Sequence, residues 1–164
     1  MSPPVPLAPV PVSASRASVV RLMVPTDANF MGNVFGGQIL SEVDRVAYIT
    51  ATRHARSNCV TASFDRVDFI QPVHVGEVVD FDAQLTYVGH TSMEIWVTVR
   101  SEALAGGEPR LVGEAFVTMV AVDPAGRPVP VPPLALETAE ERQRFAEGQH
   151  RMEQRQKTRQ RADR

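Results

Sequence analysis

The amino-acid sequence predicts an α+β fold: an antiparallel sheet wrapped around one long helix, with a second, charged helix at the C-terminus. Two patterns predict it. One segment, Gly37 to His54, repeats its apolar residues at helical spacing. Four segments after it are rich in β-branched and aromatic residues, alternate in part, and are joined by short glycine-containing connections. With 164 residues, 43% of them hydrophobic, the chain can bury one core and not two.

Taken in chain order, the opening MSPPVPLAPVPVSAS (1–15) has no basic start, and prolines interrupt each apolar run. It is expected to be neither a signal peptide nor a membrane span. It reads as a flexible, polyproline-like arm, with an SH3-type ligand as the alternative. ASVVRLMVP (Ala17 to Pro25) reads as a first strand, stopped by Pro25 and the polar TDAN. On a helical wheel Ile39, Leu40, Val43, Val46, Ala47, Thr50 and Ala51 share one side, with Ser41, Glu42, Arg45 and Thr52 opposite. That helix would run roughly 27 Å.

The sheet segments are CVTASFDRVDFIQPV, EVVDFDAQLTYVG, TSMEIWVTVRSEAL and PRLVGEAFVTMVAVD. The connections HVGE, GH and AGGE between them read as hairpin turns. DPAGRPVPVPPL then leaves the sheet. Three regions result: an arm over 1–15, a sheet-and-helix domain over 16–133, and a charged helical tail over 134–164. From Glu137 onward the tail holds 8 Lys/Arg and 6 Asp/Glu, so it is +2 while the rest of the chain is −4. A solvated helix with a frayed end is one reading of it; contact with a phosphate or another subunit is the other.

Composition bounds the partners. A net charge of −2 and a pI near 6.1 supply no positive field for nucleic acid or an anionic membrane, and Phe145 is the tail's one aromatic residue. Cys59, the single cysteine, allows no disulfide within the chain and fits a reducing, cytoplasmic setting. His54, His74, His90 and His150 form no set at metal-ligand spacing, so no metal is expected; His54 reads as a packed core or interface residue.

The chemistry concentrates in GNVFGGQILSEVD (Gly32 to Asp44). A helix start offers unpaired N–H groups and partial positive charge. Gly36 and Gly37 would let a ligand oxygen approach those groups, as an anion site or as an oxyanion hole. Asp44 lies at the rim of the apolar stripe, where a carboxylate partly withdrawn from water can act as base or nucleophile. Glu42, on the opposite side, is the weaker candidate. Asp44 stands about 10 Å along the helix from Gly37, too far to share one small reacting centre within one chain. A second subunit bringing its own Asp44 would close that gap.

Four blocks resemble the hotdog-fold acyl-CoA thioesterases, and among them the bacterial acyl-CoA hydrolases related to brain acyl-CoA hydrolase. They are PTDANFMGNVFGGQILSEVD, VTASFDRVDFIQPVHVGEVV, YVGHTSMEIWV and VAVDPAGRPVPVPPL, spread in order between Ser15 and Arg155. The resemblance implies a hotdog fold, edge-to-edge dimers with shared active sites, and trimers of dimers. It implies hydrolysis of fatty acyl-CoA to fatty acid and CoA, with CoA as part of the substrate and no cofactor. It places the catalytic aspartate on Asp44, a positioning asparagine on Asn33, and the oxyanion-hole amide on Gly37 with Gly36 beside it. Thr91 and Ser92 in GHTS become contacts for pantetheine or phosphate. Arg66 becomes a phosphate partner, with a salt bridge to Asp65 or Asp68 as its alternative. Where the family usually carries a basic residue this chain has Gln71, so Arg151 and Arg155 of the tail are expected to supply the missing charge. Two competing functions are a hotdog hydratase and a non-catalytic acyl-CoA sensor. The first lacks a histidine beside Asp44, and the second generally carries a DNA-binding module that is not evident here.

Overall fold

A computed structural model describes residues 7–162. The helical periodicity becomes α1, Gly36–Ala55, one residue longer at each end than predicted. It ends at Arg56, whose backbone is left-handed (φ 53°) and whose N–H bonds the Thr52 carbonyl at 3.0 Å. Two short strands, β1 (Val10–Pro11) and β7 (Leu134–Ala135), pair in parallel. The main strands are β2 (Ala17–Leu22), β3 (Asn58–Phe69), β4 (Glu77–Val88), β5 (Ser92–Ala103) and β6 (Arg110–Val122). They form one antiparallel sheet in the order β2-β4-β5-β6-β3. Helix α1 crosses its inner face and touches all five strands. Val43, Val46, Ala47 and Ala51 are buried there with Phe81, Ile95, Val97, Val117 and Met119.

The order corrects one expectation. HVGE is no hairpin turn: β3 is an edge strand separated from β4 by β5 and β6, and the chain from Ile70 to Gly76 crosses the end of the sheet between them. Glycine and short length fit a hairpin, but β3 pairs with β6, which only long-range contact decides. The crossing is pinned where Val34 N–H meets the Val73 carbonyl at 2.8 Å. Gly76, at φ +87°, turns the chain into β4 while its N–H bonds the Met23 carbonyl at 2.8 Å. The crossing segment therefore lies under the start of α1.

The arm is also corrected in part. Residues 1–6 lie outside the described residues, but Val10 N–H bonds the Pro133 carbonyl at 2.9 Å, and Val12 and Ser15 are buried. Two proline-rich segments, both lacking regular partners in the sheet, satisfy each other there, so 10–15 belong to the domain. Among the described residues no helix is long and apolar enough to cross a membrane.

The tail forms α2, Ala139–Ala162, opened by a reciprocal cap in which Glu141 N–H bonds Thr138 Oγ1 and Thr138 N–H bonds Glu141 Oε2, both at 3.1 Å. It is not solvated all round. One side docks on the outer face of the sheet: Phe145 meets Tyr87 with ring centres 5.0 Å apart, and Arg144 and Arg151 each lie 4.2 Å over the rings of Trp96 and Phe116. Composition concealed this because arginine stems and stacked guanidiniums, not aliphatic residues, make most of the contact. Gly148 allows the close approach: a Cβ there would stand 2.7 Å from Tyr87 Cβ and 2.8 Å from Glu94 Oε1.

Candidate active site

The loop from Pro25 to Phe35 leads from β2 into α1. Asn29 shapes it, its Oδ1 accepting from the N–H groups of Met31 (2.9 Å) and Asn33 (3.2 Å). Phe35 N–H bonds the Asp27 carbonyl at 2.9 Å, and Gln38 N–H returns to the Phe35 carbonyl at 2.9 Å. Between them, the N–H groups of Gly36 and Gly37 have no hydrogen-bond partner among the described residues, as a helix start requires. The two glycines differ in purpose. A Cβ on Gly36 would press on the Phe69 ring at 3.1 Å, whereas a Cβ on Gly37 would meet open space. Gly37 is thus the exposed donor, and Gly36 lets β3 pack against the helix entry.

A cavity of about 360 Å³ opens beside this entry, lined among others by Asn33, Gly36, Ile39, Phe69, Gln71 and Val112. Gln71, in the crossing segment, accepts from Arg110 Nη1 at 3.3 Å. Asp44 is half-buried two turns along α1, and Thr61 of β3 donates its hydroxyl to Asp44 Oδ1 at 2.6 Å. Sequence reading missed Thr61. Alternation from the buried Cys59 was the available signal, since both side chains point toward the helix. A bulge follows: Thr61 pairs with Met119 and Ser63 with Thr118, leaving Ala62 extra. That one residue turns Ser63 to the outer face while Thr61 stays on the inner one.

Glu42 corrects the wheel. It is not solvated opposite the stripe but 4% exposed, held by Arg21 at 2.7 Å and Arg45 at 2.6 Å. A buried, paired carboxylate is a structural anchor, whereas Asp44 is half-buried and is bonded by the neutral Thr61 hydroxyl. His54 is fully buried as expected, with Nε2 donating to the Pro132 carbonyl at 2.7 Å. Burial lowers its pKa from the usual 6.5, only partly opposed by that bond.

The residues expected to hold CoA divide into two groups. Arg66, Arg151 and Arg155 line one cavity of about 310 Å³ between α2 and the outer face, with Asp65, Glu94 and His150. The guanidiniums are engaged: Arg151 pairs with Glu94 at 2.8 Å, Arg155 with Asp65 at 2.9 Å, and Arg66 with Asp68 at 2.6 Å. The hydrogen bond to Glu94 raises the Arg151 pKa despite its burial. Burial pushes Asp65 up, but bonds from Ser63, Thr118 and Arg155 outweigh it and hold the carboxyl below its usual value. Ser92 stands one strand repeat from Glu94 on β5, and Thr91 lies in the preceding turn, its carbonyl accepting from Ala121 N–H at 3.0 Å. Among the described residues no three His, Cys, Asp or Glu side chains gather as a metal site.

A model of the thioesterase superfamily matches residues 31–106, which span the helix entry, Asp44 and Thr61. A Bacillus subtilis protein named as an uncharacterized acyl-CoA thioester hydrolase is 42% identical over 127 residues, covering 77% of this chain and 74% of that protein. This chain belongs to the hotdog-fold acyl-CoA thioesterase family. A solved apo-hexameric acyl-CoA thioesterase superposes on this family member with a TM-score of 0.88 and 42% identity, over 93% of this chain and 97% of that one. An acyl-CoA hydrolase from Staphylococcus aureus, solved with butyryl-CoA and CoA, gives a TM-score of 0.86 and 32% identity over 94% of both chains. Mutants of that hydrolase with an aspartate, an asparagine or a threonine replaced by alanine share the fold.

Proposed function

We propose that this chain hydrolyses acyl-CoA thioesters, with Asp44 of one subunit acting on a carbonyl held at the Gly37 end of α1 in another. The observation that carries it is the half-buried Asp44 carboxylate fixed by Thr61, in a chain whose helix start leaves the Gly37 N–H open. The acyl carbonyl oxygen accepts from that N–H as negative charge develops on it. Water loses a proton to Asp44 and its oxygen bonds to the carbonyl carbon. The C–S bond then breaks, and the CoA thiolate takes up a proton. Attack by Asp44 itself, through an anhydride that water opens, uses the same two half-sites. No cofactor enters either route. Dimers with shared sites, assembled as trimers of dimers, follow from the separation of Asp44 and Gly37 and from the hexameric relative. A cytoplasmic setting fits the free, buried Cys59.

The asparagine role expected of Asn33 is reassigned within this reading. The three residues replaced in the Staphylococcus aureus hydrolase stand at the same mutual spacings as Asn29, Asp44 and Thr61 here. This supports Asn29 as the positioning carboxamide: its Oδ1 is held by two backbone N–H groups, so its Nδ2 is the end left for substrate or water. Asn33 lines the cavity beside it. Arg66, Arg151 and Arg155, with Thr91 and Ser92 along the same side of the sheet, give the outer cavity the groups that CoA phosphates need, although Asp65 and Glu94 oppose them.

Release of free thiol from a panel of acyl-CoAs tests the reading. Asp44→Ala should lower kcat by about 10²–10⁴-fold, and Asn29→Ala should cost more than Asn33→Ala. Acyl-CoA binding by wild type without turnover would instead make the chain a sensor.

A further inference from the structure

Arg21 is more than a partner of Glu42: its contacts reach both the loop before α1 and the helix turn that carries Asp44. The side chain leaves β2 half-buried, and its guanidinium divides between two carboxylates. Nη2 donates to Asp27 Oδ1 at 2.6 Å, and Nη1 to Glu42 Oε1 at 2.7 Å. Both acids are nearly inaccessible, at 3% and 4% exposure. Asp27 spreads the tie through the loop: its Oδ2 accepts from Val24 N–H at 2.9 Å, and its carbonyl accepts from Phe35 N–H, immediately before Gly36. Glu42 lies on α1 two residues before Asp44. Among the described residues no other side-chain hydrogen bonds link the loop to α1. The loop's own bonds set its shape, and Val34 fastens one end to the crossing segment. Beyond the Phe35 carbonyl, which accepts from the N–H groups of Gln38 and Ile39 at the helix start, the Arg21 bridge is the polar tie among the described residues that sets the loop against α1.

We infer that Arg21, through Asp27 and Glu42, is a positioning residue that sets the asparagine-bearing loop and the open helix start against the α1 turn that carries Asp44. The inference rests on the thioester-hydrolysis reading for its kinetic consequence, but not for its structural one. A planar guanidinium bridging two buried carboxylates, one bond to each, fixes distance and angle together, which a lysine ammonium on one flexible stem does not. Displacements of about 1 Å in positioning elements cost rates on the order of 100-fold. Arg45 also touches Glu42, but its side chain is largely exposed and reaches neither Asp27 nor the loop.

The test compares wild type with Arg21→Met, Arg21→Lys and the double variant Arg21→Met/Asp27→Asn, by thiol release, thermal unfolding and amide hydrogen exchange of residues 25–35. Arg21→Met is expected to lower kcat about tenfold or more while KM stays within about threefold. Arg21→Lys should recover only part of kcat. The double variant removes the Asp27 charge, which Arg21→Met leaves without an ion pair while Glu42 keeps Arg45. It should regain stability but not kcat, and its loop should exchange faster than in wild type. If kcat and stability return together, Arg21 only balances buried charge, and the inference fails. It fails equally if loop exchange matches wild type in the double variant. Wild type that releases no thiol counts against the thioesterase reading alone, since loop exchange tests the bridge without turnover.

Discussion

The two helices lie on opposite faces of one sheet and are held there by opposite means. Helix α1 buries Val43, Val46, Ala47 and Ala51 against an apolar inner face, and its reactive group, Asp44, stands at the margin of that contact. Helix α2 buries little aliphatic surface apart from Met152. It is held by Arg144 and Arg151 stacked on rings, and by Arg151 and Arg155 paired with Glu94 and Asp65. An apolar interface is tolerant of direction, whereas a network of buried charges and stacked rings demands each partner. The difference teaches that a strongly charged helix can dock on a sheet without an apolar stripe, provided the receiving face carries its complements.

The sharpest way to break this comparison is Arg151→Met. It strands Glu94, 2% exposed, with Thr86 Oγ1 at 2.6 Å as its remaining close partner. Loss of one member of such a pair should cost about 2–4 kcal/mol in urea unfolding, below the fully buried range because Arg151 is partly exposed. Arg151→Met/Glu94→Gln should recover most of it. A neutral single variant would mean that α2 is held as α1 is, by apolar contact.

A smaller effect is expected from Gly148→Ala. Alanine favours the helix by about 1 kcal/mol, yet its Cβ would collide with Tyr87 Cβ and Glu94 Oε1. A net loss of about 1–3 kcal/mol in thermal or urea unfolding should follow. A gain would show that α2 stands away from the sheet.

The smallest effects are those of pH, and they separate the helices. His54, at the end of α1, has a lowered pKa, so the unfolded chain takes up protons first as pH falls. Its contribution is complete above the usual 6.5 and declines below it. Asp65, which holds α2 through Arg155, has a depressed pKa, so its contribution is complete above the usual 3.8 and is lost as pH falls through the folded value. Urea unfolding should therefore show stability declining from about pH 6.5. Fluorescence of Trp96, the single tryptophan and a direct contact of α2, should change only in the lower window. Coincident changes would mean that α2 does not depend on Asp65.

Much of the candidate site was legible because its residues lie close in sequence. Gly36, Gly37 and Asp44 sit on one helix, and helical geometry alone showed that one chain cannot bring them to a common centre. Thr61 was not legible, because its bond to Asp44 depends on which edge β3 occupies and on the Ala62 bulge. Glu42 was misjudged for a related reason. A wheel describes one helix, and it cannot show that Arg21 arrives from another strand to cover that side.

By itself the sequence determined the elements: apolar period, β-branched runs, capping residues and glycines act over a few residues, and these local forces reproduced α1 and the main strands nearly to their ends. Only the tertiary structure decided the strand order, the crossing under the helix entry, the docking of α2 and the Arg21 bridge. Each of these joins residues far apart in the chain. Pairing register, burial and buried-charge compensation are settled by what the fold brings together, and no local pattern carries that information.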